Sequence, residues 1–137
     1  MEKKSFEIIW NGTSYGFYET TDKDDALEVQ SREASFESFA HCLNVTEKTY
    51  EQAMDEVLVI ETEIKDIRVG KWEDDQSAIF FTLVRDEDEI ETLEWIDEEG
   101  EIERRDSHLS VSHNFNRELV SHVHEKLEEW MAVKLAA

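Results

Sequence analysis

The sequence predicts an α+β fold, in which a mostly antiparallel sheet (N-terminal hairpin plus meander) is packed by two short helices and a long C-terminal helix. Two observations lead to this class. Segments with the two-residue alternation of strands are separated along the chain from segments with helical spacing, and the longest helical pattern comes last. Because the 137 residues contain no linker and no internal repeat, they predict a single acidic domain over 1–137.

The first predicted element is a β-hairpin. Apolar residues alternate from Phe6 to Trp10, and Asn11-Gly12 follows them. Asn-Gly is the preferred two-residue type I′ turn, because both of its residues need a positive φ. Pairing outward from this turn predicts three opposed pairs: Trp10 with Thr13, Ile8 with Tyr15, and Phe6 with Phe17.

Residues 22–55 predict two short helices. Residues 24–29 fit a short helical turn or a loop. The first helix has an apolar face that begins at Phe36, with Ser35 as its N-cap, and the second helix opens at Thr46.

The middle of the chain predicts the strands of the meander. Residues 55–66 are compatible with helix or strand, and their β-branched residues favour a strand. After a connection over 70–76, the continuous apolar run 77–85 predicts a strand that is buried on both faces. A further hairpin follows, with a turn at 97–100 and a returning strand at about 101–106.

The last predicted element is a helix from about Asn114, its N-cap, to Leu135. His122 and His124 are assigned to positions off its apolar face. The negative charge of the protein is expected to help the histidines hold their protons. The predicted apolar stripe consists of Phe115, Leu119, Val120, Val123, Leu127, Trp130 and Met131.

The composition excludes several classes of protein. Thirty-five Asp and Glu against 14 Lys and Arg give a net charge of −21, which repels nucleic-acid phosphates and anionic lipids. With 39% hydrophobic residues the chain is too apolar to be disordered, and one Cys cannot build a disulfide framework or a thiolate zinc site. The unpaired thiol, together with the lack of a secretory signal or a span of roughly 20 apolar residues, predicts a cytoplasmic protein.

The patterns of catalytic and metal sites are not met. Gly-rich phosphate loops and a Gly-x-Ser-x-Gly elbow are missing, and frames that start at Asp86 or Asp97 do not satisfy an EF-hand loop. His41 and Cys42 are adjacent, but neighbours on a helix point about 100° apart, so Cys42 is interpreted as a small apolar residue. The sequence predicts no catalytic residue, no cofactor and no metal, and a protein that is not an enzyme.

An acidic run is the densest chemical feature. Residues 86–103 hold eleven carboxylates and no basic residue. Close like charges destabilise a hairpin, which favours a surface kept for a partner, while the alternative is a merely solvated face. The candidate partner-binding residues are Asp86, Glu87, Asp88, Glu89, Glu91, Glu94, Asp97, Glu98, Glu99 and Glu101.

The preferred hypothesis is a non-enzymatic acidic binding or inhibitor protein that masks a basic surface or active site of a partner protein. Such a protein would be bacterial or from a phage. It would be an immunity protein that neutralises a nuclease toxin, or a nucleic-acid mimic directed against a host defence enzyme that binds nucleic acids. Neither direct nucleic-acid binding nor membrane binding is expected, and a homodimer through the C-terminal helix is a further expectation. The alternatives are a small assembly or chaperone factor and a small-molecule-binding domain, whose pocket between sheet and helices would be lined by Trp or Tyr and polar groups.

Overall fold

The computed structural model describes residues 2–72 and 75–136, except for the side chains of 135 and 136. Its elements are β1 (Lys4–Trp10), β2 (Thr13–Thr20), α1 (Lys23–Glu33), α2 (Phe39–Val45), α3 (Tyr50–Glu56), β3 (Val57–Lys71), β4 (Ser77–Arg85), β5 (Asp88–Trp95), α4 (His108–Ser112) and α5 (Arg117–Ala136). The strands form one sheet in the order β2-β1-β3-β4-β5, and the pairings β1–β2, β1–β3 and β4–β5 are antiparallel. The predicted α+β class is confirmed.

The chain divides into two compact units, residues 1–63 and 64–137, and β3 belongs partly to each. The single domain expected over 1–137 stays a prediction. Buried apolar residues of the first unit include Phe6, Ile8, Leu27, Phe39 and Val57. Those of the second unit include Ile79, Phe81, Leu83, Leu109, Leu119, Val123 and Leu127.

The N-terminal hairpin turns where the sequence predicts. Asn11 and Gly12 have φ values of 48° and 82°, as a type I′ turn requires. Trp10 pairs with Thr13 beside the turn. The predicted turn and the first predicted pair are therefore confirmed.

A β-bulge shifts the register further along the same hairpin. Two residues of β2, Tyr15 and Gly16, oppose the single residue Ile8, and Phe6 therefore lies opposite Tyr18, one residue further than predicted. Gly16 adopts a φ of +102°, which L side chains rarely adopt and glycine tolerates. The predicted pair of Phe6 with Phe17 is wrong, and Ile8 lies opposite two residues instead of Tyr15 alone, because alternation by itself does not reveal this bulge.

Helix α1 occupies the segment in which the sequence predicts a short helical turn or a loop. Asp22 caps it by accepting a hydrogen bond from the backbone N–H of Asp25, and the helix continues for 11 residues. Its buried side chains include Ala26 and Leu27. Three helices, not two, therefore precede β3 in the described part of the chain.

The next two helices begin later than predicted. Ser38 caps α2, whereas Ser35 has a φ of 73° and is not in the extended conformation that an N-cap adopts. Helix α3 is capped by Thr49 and not by Thr46, and Gln52 completes a capping box with Thr49.

Strand β3 settles the ambiguity at residues 55–66. Helix α3 ends at Glu56, and the strand begins at Val57 and runs for 15 residues. The connection between β3 and β4 is shorter than the predicted range 70–76, because β3 extends to Lys71. Residues 73 and 74 of that connection lie outside the described residues.

The returning strand predicted at about 101–106 is wrong. Its turn forms as expected, with Gly100 at φ 82°, but only an isolated bridge between Ile96 and Ile102 follows it. The chain then turns again, since the Glu103 carboxylate accepts a hydrogen bond from the backbone N–H of Arg105 at 3.0 Å. This turn leads into α4, a helix that the sequence did not predict.

The C-terminal helix is confirmed, but its N-cap lies two residues later than predicted. Asn114 has a φ of 53° and does not cap it. Instead, the Asn116 side chain accepts a hydrogen bond from the backbone N–H of Leu119 at 2.7 Å. No helix in the described part of the chain has both the length and the apolar composition to cross a bilayer.

We expect Gly16→Ala to lower the free energy of unfolding by about 1–2 kcal/mol, because a Cβ is strained at this φ although no neighbouring atom blocks it. Urea unfolding followed by circular dichroism measures the change. Thr13→Ala, at an exposed position of the same strand, is the control and should change stability by less than about 0.5 kcal/mol. Equal stability of Gly16→Ala and the wild type would contradict the assignment of the bulge.

Candidate functional site

The acidic run is divided between the two ends of β5. Residues 86–89 contain the turn between β4 and β5 and the start of β5, and we name them the tip cluster. Asp97, Glu98, Glu99 and Glu101 lie beyond the other end of the strand and form the turn cluster. Because a strand rises about 3.3 Å per residue, the two clusters are roughly 25 Å apart. Glu91 lies on the strand between them.

The exposure of the candidate residues is uneven. Asp97 is half-buried, and Glu94 is fully buried with 0% exposure. Glu94 is therefore a correction to the predicted partner surface, because its side chain is not accessible. The candidates exposed to solvent are Asp86, Glu87, Asp88, Glu89, Glu91, Glu98, Glu99 and Glu101.

Backbone N–H groups stabilise the negative charge of the turn cluster. The Asp97 carboxylate accepts hydrogen bonds at 2.9 Å from the backbone N–H groups of Glu99 and Glu101. Carboxylate oxygens of these three residues lie within 4.8 Å of one another. Exposed acidic groups of this kind are common without an ion, and we assign no metal to them. In the tip cluster, Lys65 Nζ lies 2.7 Å from Glu89 Oε1 and offsets part of the charge.

The Glu94 carboxylate is held by hydrogen bonds from three elements. Its Oε2 accepts the Ser107 hydroxyl at 2.5 Å and contacts His124 Nε2 at 2.8 Å. Its Oε1 accepts the backbone N–H groups of His108 at 2.8 Å and Trp95 at 3.0 Å. Since an ionised carboxylate only accepts, His124 Nε2 carries the hydrogen in this contact. Glu94 thus links β5 to the start of α4 and to α5.

These hydrogen bonds decide the charge of Glu94. Burial by itself raises the pKa of this carboxyl, but the hydrogen bonds from His124, Ser107 and the two backbone N–H groups outweigh it, and the pKa lies below its usual value. Glu94 is therefore ionised at neutral pH.

The arrangement of Glu94, Ser107 and His124 is structural. In a serine nucleophile the histidine accepts the hydroxyl proton, whereas here the Ser107 hydroxyl donates to Glu94. All three side chains are buried, with exposures of 0%, 2% and 2%. A substrate would have no access to the hydroxyl.

The sequence contains a signal for this network, although the position predicted for His124 does not use it. His124 lies four residues after Val120 and three before Leu127, so it belongs to the apolar stripe of α5 and not off it. Glu94 likewise shares its strand face with Ile90 and Thr92. A carboxylate and a histidine that both occur on buried faces are candidates for a buried pair.

A cluster of aromatic rings covers the second unit beside Glu94. Trp72 contacts Trp95 with ring centroids 6.2 Å apart, and Trp95 contacts His108 at 5.5 Å. His108 is 5.4 Å from His113, whose ring stacks on Phe115 at 5.0 Å. None of these contacts was predicted, because they involve Trp72 just after β3, Trp95 on β5, and the unpredicted helix α4 with the residues that follow it.

A cavity of about 490 Å³, the aromatic–histidine cavity, lies between β3–β5 and α4. Its polar groups include Glu91 and Thr92, and Thr92 Oγ1 lies 2.9 Å from His113 Nε2. Burial and the neighbouring His113 lower the pKa of His108, contrary to the expectation that the overall negative charge would raise it. The local environment of His108 therefore outweighs the net charge of the protein. The other lining residues are Arg68, Trp72, Phe80, Phe81, Thr82, Leu93, Trp95 and Ser112.

His41 and Cys42 have local structural roles. The Nδ1 atom of His41 accepts a hydrogen bond from the backbone N–H of Glu37 at 3.0 Å. Cys42 is half-buried, and burial raises the pKa of its thiol. A raised pKa disfavours the nucleophilic thiolate.

Comparisons of the chain with protein-family models, with curated proteins and with solved structures gave no match. Function is therefore inferred from geometry and charge.

We expect Glu94→Gln to lower the free energy of unfolding by about 2–4 kcal/mol, because the amide NH₂ would face groups that donate hydrogen bonds in the wild type. Urea unfolding at neutral pH measures the loss. The control Glu91→Gln changes an exposed acid of the same strand and should stay within about 0.5 kcal/mol of the wild type. Similar effects of both substitutions would contradict the structural role of Glu94.

The same pair of proteins tests the charge of Glu94. Its pKa is lower in the folded protein than the ordinary 4.5, so ionisation stabilises the fold above pH 4.5, and this contribution is lost as the pH falls through the folded pKa. We therefore expect the stability difference between wild type and Glu94→Gln to narrow below pH 4.5, as measured by urea unfolding at several pH values. A constant difference down to the acid transition would show that the folded pKa is not lowered.

Proposed function

We propose that this chain is a non-enzymatic acidic binding protein of the cytoplasm that masks a basic surface or active site of a partner protein. The observation that carries the proposal is the exposure of eight carboxylates in the tip cluster, in the turn cluster and at Glu91, within a chain of net charge −21. The negative field would accelerate encounter with a basic partner and would make the association sensitive to salt.

The positions of these charges favour specific binding over simple solubility. The β4–β5 ladder is paired up to Arg85 and Asp88, directly beside the tip turn, and the Asp97 carboxylate orders the other turn. Carboxylates on such ordered turns have less conformational entropy to lose on binding than carboxylates on a disordered tail.

Of the two kinds of partner, we favour a toxin neutralised by an immunity-type protein. Each strand of a DNA double helix carries one phosphate for about every 3.4 Å along the helix axis. The exposed acids beside β5 are instead concentrated at two turns roughly 25 Å apart. Two separate clusters suit a partner with two basic patches better than they imitate a continuous strand. A nucleic-acid mimic is the second kind of protein that this proposal covers.

A second candidate function is small-molecule binding in the aromatic–histidine cavity. This cavity lies between sheet and helix and combines Trp72 and Trp95 with Glu91, Thr92 and His113. Ligand pockets typically combine apolar walls with a few convergent polar groups. A ligand would shift the indole signals of both tryptophans without any dependence on the tip cluster.

A homodimer through α5 is also proposed. Trp130 and Met131 are half-buried, and Val133 is 72% exposed on this helix. Sedimentation measures the oligomeric state of the wild type and of Val133→Glu. The dimer should be lost in the variant, because the substitution would place a charge in an apolar contact.

We expect neutralisation of the acidic clusters to slow association with the partner by about tenfold or more at low salt, because it weakens steering. The variant carries Glu87→Gln, Asp88→Asn, Glu98→Gln and Glu99→Gln. The partner to test first is the basic product of an adjacent gene that purifies as a complex with this protein. The matched control removes four exposed acids of the first unit: Asp24→Asn, Glu37→Gln, Glu51→Gln and Asp55→Asn. Surface plasmon resonance at two salt concentrations gives the association rates.

The control variant separates local charge from net charge. It should associate nearly as fast as the wild type, because its substitutions lie outside the two clusters. Equal slowing in both variants would assign the effect to the net charge alone, and a complex that is indifferent to salt would contradict the proposed function.

A further inference from the structure

A second cavity, of about 440 Å³, shares Trp72 and Trp95 with the aromatic–histidine cavity. We name it the acidic–aromatic pocket. It combines one aromatic pair with three carboxylates, and no Lys or Arg lines it in the described part of the chain. The lining residues are Trp72, Gln76, Trp95, Ile96, Asp97, Glu103 and Asp106.

The aromatic wall of this pocket is held in place by hydrogen bonds. The backbone N–H of Trp72 donates to the carbonyl of Gln76 at 2.8 Å. The Gln76 side chain donates in turn to the carbonyl of Ile96 at 3.2 Å. Trp72 is nevertheless 47% exposed, and it meets Trp95 at an interplanar angle of 65°. A large aromatic surface is thus ordered and accessible to a partner.

The carboxylates of the pocket are oriented, and the described residues show no ion pair to any of them. Asp97 and Glu103 accept hydrogen bonds from backbone N–H groups of their own turns. The nearby cation Arg104 is paired with Glu128 on α5. Asp106 also lines the pocket and is exposed to solvent. The pocket therefore presents negative charge beside an aromatic face.

We propose that the acidic–aromatic pocket binds an arginine side chain of the basic partner, an inference that rests on the proposed function. A guanidinium stacks on aromatic faces, is weakly hydrated and bonds carboxylates through two N–H groups at once, so it matches both walls. The chain itself contains a contact of this kind, since Arg68 lies over Phe80 with its Cζ 5.3 Å from the ring centroid. Buried Trp and Arg residues are also the commonest anchors of protein interfaces.

A metal ion fits the pocket less well than a guanidinium. Indole rings do not ligate Ca²⁺ or Mg²⁺, which take oxygen ligands. Asp97 has its carboxylate neighbours Glu99 and Glu101 outside the pocket, and in the described residues Glu103 and Asp106 do not belong to that close group. An extended organic cation can reach carboxylates that do not converge on one point.

The test uses the full chain and two short peptides. Acetyl-Gly-Arg-Gly-amide is the probe, and the same peptide with citrulline replaces the guanidinium by an uncharged group of similar shape. Both are titrated to about 10 mM, since one side chain alone binds weakly, and indole N–H signals are followed by NMR. The arginine peptide should shift the signals of Trp72 and Trp95, and the citrulline peptide should not. Trp10 and Trp130, outside the pocket, serve as internal controls.

Two charge-matched variants locate the binding. Glu103→Gln with Asp106→Asn should weaken the arginine peptide about tenfold, whereas Glu98→Gln with Glu99→Gln, two exposed acids outside the pocket, should weaken it less than about twofold. Trp72→Leu, at a half-exposed position, should also weaken it, by about three- to tenfold. Circular dichroism checks that each variant is folded.

The outcomes separate this inference from the proposed function. Equal shifts with both peptides, unmoved Trp72 and Trp95 signals, or equal losses in the two charge-matched variants would overturn the arginine pocket. One outcome is that the pocket variants bind the partner as fast as the wild type does, while the variant with neutralised tip and turn clusters binds it slowly. In that case the proposed function stands and the pocket inference falls. If the arginine peptide binds as expected and no salt-sensitive partner complex forms, the pocket stands as a guanidinium site and the proposed function falls.

Discussion

The ionised carboxylate of Glu94 is the constraint that organises the second unit. A buried charge costs several kcal/mol unless it is fully hydrogen-bonded, so the fold must bring donors to it from elsewhere in the chain. The donors are Ser107 and the backbone N–H of His108 at the start of α4, His124 on α5, and the neighbouring Trp95 N–H on β5 itself. The positions of both helices beside β5 follow from satisfying this one group.

The same constraint determines where the aromatic residues lie. Trp95 follows Glu94 on the strand, and His108 follows Ser107, which is the N-cap of α4. The hydrogen bonds to Glu94 therefore also bring the rings of Trp95 and His108 to 5.5 Å. Trp72 in turn contacts the ring of Trp95. Glu94 thus has a structural role inside the second unit, whereas the carboxylates at the two ends of β5 are exposed to solvent.

The sequence predicts local structure well and long-range structure poorly. The Asn11-Gly12 turn and the αL glycine Gly100 follow from backbone preferences of a few residues, and both are confirmed. The bulge at Gly16, the short helix α4 and the loss of a strand after Ile102 depend on contacts that local patterns do not contain. At the candidate site, the density of acids is visible in the sequence. Its division into two clusters and the burial of Glu94 require the register of β5.

The sheet order gives the acidic residues of β5 one more consequence. Strand β5 is at an edge of the sheet, where unpaired backbone groups can template pairing with another chain and start aggregation. Exposed Asp88, Glu89 and Glu91 line this edge. A second copy of the protein would bring the same charges against them, so edge-to-edge association between copies is opposed by repulsion. The residues proposed to attract a basic partner thereby also protect the protein from polymerising with itself.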